Sequence, residues 1–532
     1  MSAELLSNDT ICAPATPVGG GAVSIIRISG PKCFEIVDSV VEFLNGSAVG
    51  AKGYTLKRGR LAELDDVLVG IFRAPKSYTS EDCAEIYCHA SPYIVRSALD
   101  LLCSKGCRMA EPGEFTRRAF INGKMDLAQA EAVADLIASS SRAQHRVASS
   151  QLRGGYSQEL RLIRASLVEL STLLELELDF SEEEVEFANR ERLAALLEDA
   201  LKRCETLASS FKLGNAIKNG IPVAIAGAPN SGKSTLLNAL LCDDRAIVSD
   251  IPGTTRDTIE EARIIDGALL RFIDTAGIRE SSDTIERMGI ERSREAIRKA
   301  FFVLAVIDIS SPLAAENCLE LLRLCREAGE KAILVLNKVD LGETASEGKE
   351  EGADVKASSP AISSPDISSP AISSPDISSP NISSPDISSS EISSPEIEDS
   401  RPDFGLCEIV NKNVSLINKI VSSADYKDVI IGIAKISAKK GFGLEELKEM
   451  IVSACDADSE TDVLVTSQRH ADALLASAHA LRACLDGLRS SLSADLLAED
   501  LREALRHLGS ITGEITSDEV LGEIFKGFCI GK

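Results

Sequence analysis

Three patterns in these 532 residues predict a multidomain α/β chain: an α+β domain, then an all-α domain split by an inserted parallel-sheet domain. Apolar strand-length runs at Ile221–Ala226, Leu269–Ile273, Ala332–Leu336 and Val429–Ile436 each lead into a short polar segment. On either side, residues 125–212 and 464–526 space their apolar side chains three and four apart, the period of a helix face. Residues 1–122 carry short β-branched runs broken by Gly and Pro turns. The resulting division is 1–122, 123–216, 217–456 and 457–532, with the second and fourth segments as two halves of one helical domain.

In the first segment, Ala22–Ile28 and Asp66–Phe72 read as strands, with helices near 31–43 and 92–104. The second segment shows the helical period in Leu127, Ala130, Val133, Ala134 and Ile137, then in Leu160, Ile163, Leu167 and Leu170. The fourth repeats it in Leu481, Leu485, Leu488, Leu492, Leu496 and Leu497. Both halves border the inserted domain, so they are expected to pack on each other. Within that domain, at about 341–403, lies an insertion with eight copies of a five-residue S-S-P-x-I unit, one with Ser390 in place of Pro. Proline at every fifth position blocks continuous helix and strand ladders, so a solvated, mobile loop is expected. The regular Ile residues leave a repetitive coil as the other reading.

The inserted domain carries the chemistry. Gly227-Ala-Pro-Asn-Ser-Gly-Lys-Ser234 fits G-x-x-x-x-G-K-[ST], between a strand and a helical run at Thr235–Leu241. Glycines let such a backbone wrap closely, so its N–H groups and the helix N-terminus face phosphate oxygens. Lys233 is expected on the β- and γ-phosphates and the Ser234 hydroxyl on Mg²⁺, with Asn230, Ser231, Gly232 and Thr235 completing the loop. Asp274-Thr-Ala-Gly277 ends the next strand; its carboxylate can hold Mg²⁺ through water, and Gly277 N–H can sense the γ-phosphate. In Asn337-Lys-Val-Asp340 the Asp340 carboxylate can accept from guanine N1–H and N2–H₂, a donor pair adenine lacks. Ser437-Ala-Lys439 can offer backbone N–H groups to guanine O6. Four segments in this order, each at a strand end, predict GTP and a P-loop GTPase domain with a Ras-like parallel sheet.

Between the first two lies Ile251-Pro-Gly-Thr-Thr-Arg-Asp257, where Thr255 is the candidate switch hydroxyl for Mg²⁺. Many GTPases place a water-orienting Gln soon after D-x-x-G. Here Ile278 and Arg279 follow Gly277, so the group must come from elsewhere. Glu286 is a candidate, although its plainer reading is an exposed helix carboxylate.

The bulk numbers narrow the partners. No apolar run approaches 18 residues, so no membrane span is expected, and the N-terminus has no secretory pattern. The expectation is a cytoplasmic protein. The 14 cysteines form no C-x-x-C pairs; Cys83 with Cys88-His89 looks like half a metal site without a second half. The net charge of −25 gives no support for a nucleic-acid partner. It does not exclude one, since residues 341–403 hold 13 acidic against 3 basic side chains and residues 1–124 hold 14 of each.

A further set of segments resembles the tRNA-modification GTPase family MnmE, also called TrmE. They are Asp9-Thr-Ile11, Ala15-Thr-Pro17, Ile26-Arg-Ile-Ser-Gly30, Ser77-Tyr-Thr-Ser-Glu-Asp82, Pro112-Gly-Glu-Phe-Thr116, Arg118-Ala-Phe120, Asn122-Gly-Lys-Met-Asp-Leu-Ala-Gln-Ala-Glu131 and Phe528-Cys-Ile-Gly-Lys532. The resemblance covers nearly everything except the repeat insertion. It implies an N-terminal folate-binding domain, a helical domain split by the GTPase, and a homodimer through the N-terminal domains. It also implies a heterotetramer with the FAD-dependent partner MnmG (GidA), and tRNA as substrate. A (carboxymethyl)aminomethyl group would be added at carbon 5 of the wobble uridine, with 5,10-methylene- or 5-formyl-tetrahydrofolate as carbon source.

Carried over by motif, the folate contacts are Arg27, Glu85, Lys124 and Lys532, and Cys529 is a candidate for the one-carbon chemistry. Read alone, Arg27 is a surface ion pair, Glu85 an exposed helix residue and Lys532 a frayed terminus. The resemblance further implies activation by K⁺, with ligands from Asn230, Ser249, Ile251 and Thr254, and places Glu286 as the water-orienting carboxylate. The nucleotide contacts would then also include Ser249, Thr254, Thr275, Ala276 and Lys338. Three positions depart from the family pattern: Gly20 where Arg is frequent, Ala90-Ser91 where Gly-Gly is usual, and Ser249 where Thr is frequent. A GTP-operated RNA-binding or ribosome-assembly switch without one-carbon chemistry is the alternative; it has no use for the N-terminal set or the C-terminal five residues.

Overall fold

The computed structural model describes residues 9–17, 20–179, 190–241, 260–274, 294–341, 404–456, 463–490 and 492–531. Residues 342–403, nearly all of the repeat insertion, lie outside them.

The N-terminal part is a seven-stranded sheet, β3-β4-β5-β6-β2-β1-β7 in spatial order. Its strands are β1 (Thr10–Pro14), β2 (Val23–Ser29), β3 (Val41–Phe43), β4 (Thr55–Leu61), β5 (Asp65–Phe72), β6 (Cys83–His89) and β7 (Cys107–Met109). Neighbours run antiparallel except β1 and β7, which are parallel. Helices α1 (Cys33–Val40) and α2 (Pro92–Ser104) cover one face, against Ile26, Ile28, Val69 and Ile86. The helix expected near 31–43 is shorter. It stops at Val40, and Val41 turns extended to pair with Leu61 of β4. β-Branched residues favour that pleated, edge-paired setting over a further helical turn. Glu85 likewise stands on strand β6, not on a helix.

After α3 (Glu114–Ile121) come α4 (Leu127–Ala138) and α5 (Arg142–Leu152), each opened by a capping box, Asp126 with Gln129 and Ser141 with Gln144. The long helices α6 (Gly155–Asp179) and α7 (Arg190–Ser209) then lead to α8 (Phe211–Asn219). The 216/217 boundary falls inside α8, whose Leu213, Ala216 and Ile217 join the core of the inserted domain.

In that domain the sheet order is β13-β12-β11-β8-β10-β9. Strands β8 (Ile221–Ala226), β10 (Ala268–Asp274), β11 (Phe302–Asp308), β12 (Lys331–Asn337) and β13 (Ile430–Ile436) are parallel. Strand β9 (Glu260–Ile265) runs antiparallel at the edge, joined to β10 by Asp266 and Gly267, both at positive φ as a tight hairpin requires. Helices α9 (Lys233–Leu241), α10 (Ala314–Ala328), α11 (Phe404–Val421) and α12 (Leu444–Asp456) complete it.

The second helical half, α13 (Gln468–Arg489), α14 (Ala494–Thr512) and α15 (Asp518–Lys526), returns to the first. Leu160, Ile163, Leu167 and Leu197 share one buried core with Leu474, Leu481, Leu501 and Leu508. The helical domain is therefore a single packed unit with the parallel-sheet domain inserted between its halves. Leu521 and Phe525 of α15 pack on Leu127 and Ala130 of α4, which aims the chain's end at the N-terminal sheet.

Candidate functional site

The nucleotide site is built at the C-terminal ends of β8, β12 and β13. The phosphate loop leaves β8 so close to its neighbours that side chains are excluded. A Cβ on Gly227 would stand 2.4 Å from the Val306 carbonyl oxygen, and one on Gly232 2.2 Å from Asn337 Nδ2. Gly232 has φ +97° and Asn230, exposed at the tip, φ +61°. Lys233 Nζ donates to the Gly227 and Ala228 carbonyls at 2.8 and 2.9 Å, so its ammonium lies folded over the loop. Ser234 and Thr235 are exposed in the first turn of α9. Ser231 is buried, and its hydroxyl has no hydrogen-bond partner among the described residues.

Asn337 ties the base side to this loop. Its Nδ2 donates to the Ser231 carbonyl at 2.8 Å, and its Oδ1 accepts from Ala438 N–H at 3.0 Å, all buried. Ser437 N–H is also engaged, by the Phe442 carbonyl at 3.0 Å. The expectation of several open N–H groups in Ser437–Lys439 therefore narrows to Lys439, because Asn337 uses the Ala438 donor as a brace. Asp340 sits partly exposed with Lys440 Nζ 3.5 Å away, a neighbour the motif did not reveal. Lys338 reaches the other way, to Asp308 Oδ2 at 2.6 Å.

Asp274 ends β10, as the D-x-x-G segment requires, though its side chain is outside the described residues. Thr275, Ala276, Gly277, Ser249, Ile251, Thr254, Thr255 and Glu286 also lie outside them. Of the Mg²⁺ and K⁺ ligand sets, Ser234 and Asn230 are in view, both exposed on the phosphate loop and its helix.

The N-terminal site is assembled by register. On β2 the buried Ser24, Ile26 and Ile28 alternate with Ile25 and Arg27 on the opposite face. Antiparallel pairing sets Arg27 opposite Glu85, and Ile25 opposite Tyr87. Arg27 Nε and Nη2 lie 3.0 and 2.9 Å from Glu85 Oε1, while Tyr87 Oη donates to Glu85 Oε2 at 2.9 Å. The Arg27 guanidinium also sits 5.1 Å from the Tyr78 ring centre and 5.7 Å from that of Phe115. Lys124 Nζ bonds the Ser77 carbonyl and lies 5.8 Å from the same Tyr78 ring. Burial pushes the Tyr78 phenol above its usual range, and burial together with Glu85 does the same to Tyr87. Sequence reasoning missed Tyr78, Tyr87 and Phe115. Tyr87 was findable, since it stands two residues from Glu85 on one strand face.

The chain's end closes this site. Ile530 bridges Pro112, Gly113 N–H donates to the Cys529 carbonyl at 3.4 Å, and Arg27 Nη1 donates to the Gly531 carbonyl at 3.3 Å. Gly531, at φ +97°, passes so near β1 that a Cβ would lie 2.1 Å from the Pro14 carbonyl oxygen. Cys529 itself is exposed, and Lys532 lies outside the described residues. The structure thus brings Arg27, Glu85, Lys124 and the C-terminal tail together.

Two comparisons place the chain. The family model described as "MnmE helical domain" matches residues 127–529, and "GTP-binding protein TrmE N-terminus" matches residues 10–124. The chain is 42% identical over 533 residues to "tRNA modification GTPase MnmE" of Parabacteroides distasonis, covering 98% of this chain and 100% of that protein. Its namesake in Bacteroides fragilis is 44% identical over 99% of this chain and all of its own. That of Cytophaga hutchinsonii is 41% identical over the full length of both. This chain belongs to the MnmE family.

At the Ala90-Ser91 departure neither residue is among those with positive φ, and Ser91 stands extended at the N-terminal boundary of α2 ahead of Pro92, without a side-chain capping bond. Ala90 N–H bonds the Ala22 carbonyl at 3.1 Å, so the turn beside β6 closes without glycine. Cys83 and Cys88 are buried thiols, and the exposed His89 pairs with Asp65 at 2.8 Å. Among the described residues no group of His, Cys, Asp and Glu could hold a metal ion, and no helix is long and apolar enough to cross a membrane.

Proposed function

We propose that this chain is the GTP-hydrolysing component of a tRNA-modifying complex that adds a (carboxymethyl)aminomethyl group to carbon 5 of the wobble uridine. The observation that carries the reading is the contact of Arg27 with the Gly531 backbone, 504 residues away. It joins the N-terminal segments to the C-terminal five residues, the two features a plain GTP-operated switch would not need. The relatives' names, tRNA modification GTPase, point the same way.

The N-terminal site fits a reduced folate. A carboxylate held by Arg27 and Tyr87 keeps lone pairs for the N–H edge of a pterin. Aromatic faces and the cations Arg27 and Lys124 suit a flat ring and the glutamate oxygens, with Lys532 as a further cation. Bound there, the folate would supply the one-carbon unit, and Cys529 on the closing tail is the thiol assigned to that chemistry. Redox chemistry would fall to an FAD-containing MnmG-type partner bound to a homodimer of this chain.

In the GTPase domain, Lys233 would exchange the Gly227 and Ala228 carbonyls for phosphate oxygens, while Ser234 and Thr255 hold Mg²⁺. K⁺ ligated by Asn230, Ser249, Ile251 and Thr254 would supply positive charge beside the transferred phosphoryl group. Glu286 would orient the attacking water, so Glu286→Ala should keep GTP affinity and suppress hydrolysis. Normal GTP turnover in that variant removes Glu286 from the mechanism.

Nucleoside mass spectrometry of bulk tRNA tests the whole reading. Cells lacking the gene should lose 5-aminomethyl-type wobble uridines. An unchanged profile, with intact GTP hydrolysis, would favour the assembly-switch alternative.

A further inference from the structure

Lys338 is held in a conformation that L residues avoid, with φ +69° in the middle of Asn337–Asp340. Such a strained residue persists only where its surroundings over-determine it. Those surroundings are visible. Lys338 Nζ lies 2.6 Å from Asp308 Oδ2, both side chains mostly covered. The other carboxylate oxygen, Oδ1, accepts from Ser310 N–H at 3.0 Å and Ser310 Oγ at 2.6 Å, so the acid cannot rotate away. The loop behind it is fixed as well. Buried Asn413, on α11, donates to the Ile309 and Ser311 carbonyls at 3.0 and 2.8 Å. An aligned chain of contacts therefore runs from α11 through the 309–311 loop and Asp308 to Lys338.

We propose that Asp308 is a positioning residue for guanine discrimination: it locks the left-handed turn at Lys338, and that turn aims the Asp340 carboxylate. Asn413 is its anchor. The argument is geometric. Asn337 is clamped to the phosphate loop and to Ala438, so the backbone dihedrals of Lys338 decide where Asp340 falls relative to that fixed point. Loss of the ion pair lets residue 338 relax toward ordinary φ and swings the carboxylate off the base position. The inference rests on the guanine-nucleotide reading of this site.

The test is equilibrium binding of GDP and inosine diphosphate, which lacks the guanine 2-amino group, to the full-length chain. Variants are Asp308→Asn, Asp308→Ala, Asn413→Ala, Lys338→Gly and the double variant Asp308→Ala with Lys338→Gly. Asp308→Ala should weaken GDP by about tenfold, within the cost of one strained residue, and Asn413→Ala by less. The preference for GDP over inosine diphosphate should shrink in both, a ratio that general destabilisation does not move. Glycine adopts positive φ without strain. The double variant should therefore bind GDP no worse than Lys338→Gly alone. Wild-type GDP affinity and base preference in both Asp308→Asn, which keeps the shape of the side chain, and Asp308→Ala, which removes both contacts, would overturn the inference alone; so would independent, multiplying losses in the double variant. Failure of the unsubstituted chain to bind GDP would instead sink the guanine reading, and this inference with it.

Discussion

The two candidate sites of this chain are built by opposite strategies. The nucleotide site draws on short contiguous segments, each at the end of a parallel strand, and one buried side chain, Asn337, clamps two of them together. The N-terminal site draws single side chains from segments far apart in the sequence. Strand register sets Arg27 against Glu85, a separate turn supplies Tyr78, and the last residues of the chain arrive across the whole sequence to meet Arg27. A loop-built site should fail when its clamp fails, while a register-built site should weaken piecemeal.

The largest effect should come from the clamp. Asn337→Ala takes from the buried Ser231 carbonyl and Ala438 N–H the partner each has among the described residues, roughly 1–3 kcal/mol each. Guanine-nucleotide affinity should fall by about a hundredfold or more, and the melting temperature of the GTPase domain should drop, with reduced-folate binding unchanged. Calorimetric titration of both ligands checks this, and equal losses at both sites would break the comparison.

Next comes an ion-pair cluster within the helical domain. Glu131 of α4 bonds His470 and Arg469 of α13, and Arg469 in turn donates to the Ser510 carbonyl of α14. Burial opposes ionisation of Glu131, but His470 and Arg469 outweigh it and hold the carboxyl down at about 2, against an ordinary 4.5. A depressed acid contributes stability that is present above its unfolded value and lost as pH falls through the folded one. The wild type should therefore lose about 3 kcal/mol between pH 4.5 and 2 from this group. Glu131→Gln should be less stable at pH 7, and the gap should close toward pH 2. Thermal melts of both proteins across that range read it directly; parallel curves would show that the carboxylate is not the source.

Smaller still is the effect of Tyr87→Phe. It removes one hydrogen bond to the Glu85 carboxylate and nothing from the core, so reduced-folate affinity should fall about tenfold at most, roughly 1–1.5 kcal/mol. GTP hydrolysis should not change. A loss far beyond this would mean that Tyr87 touches the ligand itself.

The same contrast explains what could be read from the sequence. The placement of the phosphate loop, Asp274, Asn337–Asp340 and Ser437–Lys439 at strand ends was legible because each short motif directly follows an apolar strand-length run. The long helices were legible because their apolar period is sustained, and their pairing because both halves need a partner for one buried face. Arg27 and Glu85 were indistinguishable from surface charges until register placed them side by side, and only the family resemblance singled them out. Strand β3 was read as helix because three residues are too few to show a period, and pairing with β4 decides the conformation. Asp308 was silent for a similar reason: nothing near it in the sequence announces that Lys338, thirty positions on, needs a partner.

The smallest expected change separates position from chemistry at the closing tail. The Cys529 side chain is exposed, and the tail is held through backbone groups: the Cys529 carbonyl with Gly113 N–H, Ile530 against Pro112, and the Gly531 carbonyl with Arg27. Cys529→Ser should therefore shift stability by less than about 0.5 kcal/mol and leave reduced-folate affinity intact. If the thiol acts chemically, the variant should still bind folate and hydrolyse GTP, yet tRNA from cells carrying it should lack the wobble-uridine modification. Serine is nearly the same size but a far weaker nucleophile near neutral pH, so a normal modification level would assign the tail a purely positional role. That outcome would leave Arg27 and the Gly531 backbone as the reason the chain's end returns to its beginning.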